Sequence, residues 1–334
     1  YNHSFSVFRV PFDEWFANKA EEAGAMVVPS TVAEDVVWEG DKIIGVKMHG
    51  GEELHANVVI AADGVNSLLS EKAKLRKPFD SHSMIMAAKM VIGMPRELIE
   101  GRFGLEKDEG MAIQYFGDAV KGLFGGGFLY TNKESLSVGM GCSVHAMGYS
   151  KNKPEEILDH MVEHPCVRKI LRGGEILEYS GHMIPEYGYN KLPKLYGNGI
   201  LVAGDAAGFV DASHYQEGTN LAMYSGVAAA ETVLAAKEKE DYSETTLKEY
   251  RTKLENSFVL KDLKKFRRLP EFGKNGERFF KDYPELFSEL MSDYFTVNMQ
   301  SKAEIEKGVI KKFLKKGKPL RFAMDMLKMI RAVK

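Results

Sequence analysis

Apolar residues recur at helical spacing through Phe12, Trp15, Phe16, Ala20 and Ala23, and the run closes at Gly24, so the pattern predicts a helix over 11–24. The stretch 4–10 ahead of it reads as a strand. Short apolar runs then predict strands at 25–29, 31–38, 42–48 and 56–62, with Glu39-Gly40-Asp41 and His49-Gly50-Gly51 as turns. A second group is predicted at 84–92, 111–116, 122–130 and 136–144. Several of these alternate apolar with polar residues, and Gly101, Gly104, Gly110 and Gly117 punctuate the turns, which suggests an antiparallel sheet. A helix over 154–172 follows, then a strand, turn and helix over 199–226, the helix itself reading as 221–236. From Asp241 the chain is helical and charged.

The fold class expected from this order is mixed α/β and α+β. Segments 1–76 and 185–236 form one domain, an antiparallel-sheet domain at 77–184 interrupts it, and 237–334 is a helical region suited to a partner or membrane contact.

Composition narrows the function classes. The 334 residues are 44% hydrophobic with a net charge of −2, which favours neither nucleic acid nor an acidic substrate. Two cysteines can build neither a disulfide framework nor a four-thiolate site, and they fit a reducing cytoplasmic compartment. Both are expected as packed core thiols. No run approaches the roughly 20 apolar residues of a spanning helix. The expected location is the cytoplasm, with peripheral contact at the inner face of the cytoplasmic membrane. The chain begins at Tyr1 without methionine and reads as a piece whose start has been cut off.

Two segments carry candidate chemistry. In the first, the apolar strand 199–203 ends at Gly204-Asp205, small residues follow, and Gly218, Thr219 and Asn220 open a helix. Glycine at 204 permits close approach of backbone to a ligand. A carboxylate at 205 can accept hydrogen bonds from a sugar or ribityl hydroxyl. The helix start offers unpaired N–H groups and a positive dipole end to an anionic ring edge, such as that of a reduced flavin. An ordinary strand–helix unit with an Asp cap is the plainer alternative. In the second segment the buried strand 58–62 runs into Asp63-Gly64 and a helix near Ser67. His214 and Tyr215, just before the 218–220 turn, are candidate proton donors or structural loop residues. Gly125-Gly126-Gly127 either makes room for a planar ring or marks a tight strand crossing. No residues stand at metal-ligand spacing, and no Ser/His/Asp constellation stands out.

Together the segments resemble the second and third fingerprints of the flavoprotein hydroxylase superfamily, which has a glutathione-reductase-type FAD-binding fold. Phe8-Arg9-Val10-Pro11-Phe12-Asp13-Glu14-Trp15 resembles the Arg-x-x-Phe-Asp-x-Trp segment of its geranylgeranyl-reductase branch, and Gly181–Gly188, with Pro185 at its centre, that branch's loop beside the flavin. The resemblance implies FAD as cofactor. Asp205 would hold the ribityl chain, Gly218, Thr219 and Asn220 would face the pyrimidine edge, and Asp63 and Gly64 would lie near the pyrophosphate, with Arg9 and Pro185 completing the set. The first fingerprint, Gly-x-Gly-x-x-Gly, is absent, so the ADP-binding βαβ unit is expected upstream and this chain would carry part of the FAD site.

The segment 257–270 and Tyr283-Pro284-Glu285-Leu286 resemble the Fix-type electron-transfer-flavoprotein:quinone oxidoreductases. That resemblance implies an FAD-dependent oxidoreductase moving electrons from an electron-transfer flavoprotein toward quinone, in nitrogen fixation or flavin-based bifurcation. A separate ferredoxin-like iron–sulfur subunit would accompany it, in keeping with the two cysteines. A geranylgeranyl-reductase-type enzyme reducing isoprenoid double bonds and a flavin-free docking fragment are the competing readings.

The segment 301–334 holds eleven Lys and Arg against three acids, with Leu320, Ala323, Met324, Leu327 and Ile330 at helical spacing. Three readings stand open: a helix packed on its domain, a basic surface on anionic lipid, or a dock for the acidic ferredoxin-like subunit.

Overall fold

The computed structural model describes residues 5–333 except 80, 187, 212 and 214, and only the backbone at 273–275 and 277. The first segment contains α1 (Arg9–Glu22), β1 (Ala33–Glu39), β2 (Lys42–Met48), β3 (Glu53–His55), β4 (Val59–Ala61) and α2 (Leu68–Lys72). Next come β5 (Met84–Gly93), α3 (Arg96–Phe103), β6 (Ala112–Tyr115), β7 (Gly125–Thr131), β8 (Ser135–Ser143), α4 (Val144–Ser150), α5 (Pro154–Glu163), α6 (Pro165–Leu171) and β9 (Glu175–Pro185). They are followed by β10 (Tyr196–Gly197), β11 (Ile200–Val202), α7 (Thr219–Glu238), α8 (Glu244–Leu247), α9 (Glu249–Asn256) and α10 (Phe258–Lys265). The chain closes with α11 (Leu269–Asn275), α12 (Glu277–Phe280), α13 (Asp282–Phe295), α14 (Lys302–Lys316) and α15 (Pro319–Val333).

These elements gather into two units, each discontinuous in sequence: 7–84 with 183–267, and 85–182 with 268–334. The C-terminal helices are shared between them, α8–α10 in the first and α11–α15 in the second.

In the 7–84/183–267 unit, β1, β2 and β3 form one antiparallel sheet, and β10, β11 and β4 a second in that order. β11 runs antiparallel to β10 and parallel to β4, pairing Ile200 with Val59 and Val202 with Ala61. Ile200, Leu201 and Val202 are fully buried, as a strand covered on both faces requires. Around them pack Leu221, Ala228 and Ala229 of α7 and Tyr250, Leu254, Val259 and Leu260 of α9 and α10. The buried Tyr250 hydroxyl donates to the Val202 carbonyl at 2.9 Å, fixing α9 to that strand.

In the 85–182/268–334 unit a five-stranded sheet runs β6-β7-β8-β5-β9. Its buried residues, among them Leu129, Leu136, Val138 and Met140, meet Ile157, Leu158 and Met161 of α5. A side chain at Gly127 would stand 2.5 Å from the Met161 sulfur, and one at Gly139 would stand 2.4 Å from the Phe128 ring and 2.7 Å from the Ala88 carbonyl. The glycine run is therefore a tight crossing, filled by the protein's own side chains.

Several expectations need correction. Residues 5–8 form no strand, and Arg9 and Val10 begin α1. The Arg9–Asp13 pair, at 2.9 Å and spaced i,i+4, supports that first turn, where Pro11 is tolerated. Residues 25–29 form no strand, because the run finds no ladder partner among the described residues. The expected helix 154–172 is two helices, since Pro165 lacks the N–H to continue the first. Gly101, read as a turn, lies inside α3, and Gly104 closes that helix at φ +63°. β9, eleven residues long, was not anticipated. Cys142 is buried, and burial pushes its thiol up to about 12, but Cys166 is exposed at the start of α6.

The helices of the second unit are joined by an ion pair. Arg278 donates to both oxygens of the buried Asp325 carboxylate at 2.7 and 2.9 Å, and the Tyr283 hydroxyl donates at 2.7 Å. The Arg278 partnership holds the Asp325 pKa below the usual carboxylate range. The unfolded chain therefore binds this proton more readily, and the stabilisation is present above about pH 4 and lost as pH falls through the lowered folded pKa. Asp325→Asn should cost about 2 kcal/mol near neutral pH, and urea midpoints should show the gap to the parent protein narrowing below about pH 4.

Candidate functional site

Parallel pairing of β4 and β11 points the carboxyl ends of both strands the same way. The Ala203 N–H donates to the Ala61 carbonyl at 2.9 Å, so the two chains are still paired just before Asp63-Gly64 and Gly204-Asp205 leave the sheet. Ligands of open α/β sheets bind beyond the carboxyl ends of parallel strands, so the two sequence motifs emerge where a site is expected.

The turn after β11 is shaped by glycine. Gly204 takes φ +62° and Gly208 φ +73°, and the short helical turn 204–207 lies between them, carrying Asp205. A side chain at Gly204 would stand 3.4 Å from Ala222 Cβ, so the turn packs directly on α7. The buried Gly204 N–H donates to Ser225 Oγ at 2.9 Å, and that hydroxyl donates to the Ala222 carbonyl at 2.6 Å. Ser225 thereby locks the turn to the helix. The sequence reading passed over it because it is one small residue in a run of them.

α7 begins at Thr219 with Gly218 as its N-cap. No side chain caps this end and no acid stands in its first turn, while Thr219 and Asn220 are exposed. The first-turn N–H groups of this 20-residue helix thus have no side-chain cap among the described residues, and the nearest carboxylate, Glu217 ahead of the N-cap, accepts from Asn220 Nδ2 at 2.9 Å. A side chain at Gly218 would meet nothing nearer than 3.8 Å, and one at Gly64 nothing within 4 Å, which leaves the backbone approachable at both turns.

Asp63 accepts the Leu69 N–H at 2.9 Å, closing the turn into α2. Arg76 reinforces that turn from below, donating to Ser67 Oγ and to the Asn66 carbonyl. Arg9 reaches the site by its charge. Its pKa is raised chiefly by the hydrogen bond to Asp13, and the field of Asp205 adds to it.

Pro185 is buried at the end of β9, and the Glu186 N–H donates to the Ser83 carbonyl at 2.8 Å. Lys191 donates to Ser83 Oγ at 3.1 Å. Tyr215 is exposed, packs against Phe266, and donates its N–H to Ser213 Oγ. His214 lies outside the described residues. Between them the sequence reading missed Asp211. Its buried carboxylate accepts both the Ser213 N–H and hydroxyl, and burial outweighs those bonds to push its pKa up. The Asp211 N–H also donates to the Glu217 carbonyl at 2.8 Å, pinning the loop that leads into α7. Among the described residues no group of three or more His, Cys, Asp or Glu could hold a metal ion, and no helix is long and apolar enough to cross a membrane.

Known proteins resemble this chain in sequence and in fold. The ETF-QO/FixC family C-terminal domain matches residues 269–334. Protein FixC of Azorhizobium caulinodans is 41% identical over 314 residues, covering 93% of this chain and 72% of that protein. A probable electron transfer flavoprotein-quinone oxidoreductase of Escherichia coli, YdiS, is 38% identical over 92% of this chain and 71% of its own. Among solved structures, a geranylgeranyl bacteriochlorophyll reductase-like protein from Thermoplasma acidophilum superposes with a TM-score of 0.66 at 22% identity, covering 92% of this chain and 71% of that one. The flavin-dependent brominase Bmp2 gives 0.63 at 18%, covering 94% and 77%. These likenesses establish the mixed α/β fold of FAD-dependent flavoenzymes.

Ser225→Ala should leave the buried Gly204 N–H without its acceptor and cost about 1–3 kcal/mol, read as a lowered midpoint of thermal or urea unfolding. Ser225→Thr, which keeps a hydroxyl, should recover part of the loss.

Proposed function

This chain belongs to the ETF-QO/FixC family, and from that premise we propose that it is an FAD-dependent oxidoreductase carrying electrons from an electron-transfer flavoprotein toward a quinone. The observation that supports it most is the convergence of Asp63-Gly64 and Gly204-Asp205 at the carboxyl ends of paired parallel strands, beside a long helix whose N-terminus has no side-chain cap among the described residues. A flavin suits that surface. Its ribityl hydroxyls need an acceptor such as Asp205, and its pyrimidine edge gathers negative charge that the N–H groups of Gly218, Thr219 and Asn220 would offset.

When bound, FAD supplies the capacity to take up a pair of electrons and release them. The protein's part is to hold and tune. Gly64 and Asp63 would leave room for the pyrophosphate, Arg9 would balance the Asp205 charge, and Pro185 would stiffen the backbone of the adjoining loop. Tyr215 is the candidate proton donor on the described part of the loop, with His214 its neighbour in sequence. Two cysteines, one of them buried, cannot ligate an iron–sulfur cluster, which needs four thiolates. On the family resemblance, a small ferredoxin-like subunit would carry a cluster in the electron path.

The intact gene product should carry the yellow absorbance of FAD and, with its partner flavoprotein, reduce a quinone without turning over prenyl lipids. Saturation of an isoprenoid double bond would move the assignment to the geranylgeranyl-reductase type, and absence of flavin would favour a docking role. In the intact gene product, Asp205→Ala should weaken FAD retention about 10- to 100-fold, as loss of a charge-assisted hydrogen bond implies.

A further inference from the structure

Asp211 is an acid where an ionised acid is costly. It is 3% exposed, and among the described residues no cation is paired with it. The charges that bear on it are those of Glu217 in its own loop and Asp262 on α10, both negative. What holds it is Ser213, whose N–H and hydroxyl donate to its two oxygens at 2.9 and 2.8 Å. Burial and the two neighbouring acids favour the protonated form, the Ser213 bonds favour the ionised one, and burial is the largest of these effects. The carboxyl is thus poised to change its charge when its surroundings do.

Its place makes that change matter. The Asp211 N–H donates to the Glu217 carbonyl at 2.8 Å, and a side chain at Gly218 would stand 3.8 Å from Val210 Cγ2. Val210-Asp211 and Glu217-Gly218 therefore run side by side, about one strand spacing (roughly 5 Å) apart. Gly218 is the N-cap of α7, the helix whose positive end is assigned above to the pyrimidine edge of the flavin. Over such a distance, in a region shielded from water, a unit charge acts strongly on its neighbours.

We propose that Asp211 couples proton uptake to reduction of the flavin, as a positioning residue whose charge sets how much of the α7 dipole the ring receives. The inference rests on the FAD reading. Ionised, Asp211 offsets part of the positive end of α7; protonated, it leaves that end to the ring. Negative charge arriving at the pyrimidine edge raises the proton affinity of an acid beside it, and by linkage the added proton favours the reduced ring to the same degree. The electrons come from the electron-transfer flavoprotein and the proton from solvent. One O–H bond forms on Asp211, and no covalent bond of the protein breaks. A loop acid kept only for its two Ser213 bonds would be replaceable by asparagine, whose amide oxygen accepts and amide nitrogen donates. Asparagine cannot titrate, and this separates the two roles.

The test compares the intact gene product with its Asp211→Asn variant in two measurements. The first, urea unfolding against pH, needs no flavin. An acid whose folded pKa is raised costs stability as pH climbs from about 4, where the unfolded chain ionises, until the folded value is passed. Asp211→Asn should therefore match the parent near pH 3 and exceed its midpoint increasingly at higher pH. The second is the infrared difference between reduced and oxidised protein. Reduction should bring up the carbonyl band of a protonated carboxyl that Asp211→Asn lacks, with a proton affinity about tenfold higher in the reduced protein, within the usual range of coupling between sites. If Asp211→Asn does not fold, Ser213→Ala, which removes one bond to the ionised form, should move the band to higher pH. Unfolding profiles of the same pH dependence, a band that survives Asp211→Asn, or a band that Ser213→Ala leaves in place would overturn the inference. Flavin bound and reduced without a carboxyl band would also overturn it and leave the FAD reading standing. A gene product without yellow absorbance would overturn both.

Discussion

Everything proposed for the site depends on three residue pairs of parallel ladder, Val59–Ala61 against Ile200–Val202. Strands some 140 positions apart have no local reason to meet, and parallel pairing is not helped by a tight turn. What holds them is burial. β11 is apolar at every position, is fully covered, and is clamped from outside by the Tyr250 hydroxyl on its last carbonyl. Because the ladder ends at Val202 and Ala61, the chains that leave it can only place their Asp and Gly turns at one edge. The Gly204–Ser225 bond then fixes where α7 begins relative to that edge. Strand, turn and helix are joined there, and the chemistry available is what they present: a carboxylate, open glycine backbone and a helix N-terminus capped by glycine alone.

The two units use opposite solutions to the same packing problem. Around β11 the sheet is narrow and the helices supply most of the core. In the other unit a broad antiparallel sheet supplies it, and glycine at 127 and 139 admits Met161 and the Phe128 ring where any Cβ would collide. Its helical end combines the Arg278–Asp325–Tyr283 cluster with apolar packing, in which Phe322 of α15 meets the rings of Tyr283, Phe287 and Phe313.

The fold was legible where periodicity and punctuation agreed. Both motif strands, the antiparallel strands and α7 follow from apolar runs bounded by glycine; the flavoprotein resemblance rested in part on the motif segments, and the Fix-type resemblance on 257–270 and 283–286 in the C-terminal helices. Reading failed where tertiary context decided. The apolar run at 25–29 has the composition of a strand and finds no neighbour to pair with among the described residues. Gly101 looked like a turn because its helix, α3, is short and mostly polar. Of the site, the glycines and Asp205 could be found by type, since few other residues suit those roles. Ser225 and Asp211 could not, because each acts through a backbone group that only the folded chain brings near.

The discontinuity of the β4–β11 ladder has a consequence during synthesis. A ribosome adding about 10 residues per second completes β11 on the order of ten seconds or more after β4 has left the exit tunnel. Throughout that interval the edge of Val59-Ile60-Ala61 that will pair with β11 is open, the kind of segment that pairs with a neighbouring chain if one is available. The whole β5–β9 insert can fold in the meantime. Protection of β4 on the nascent chain, by its hairpin neighbours or by a chaperone, is therefore a condition for the site ever being assembled.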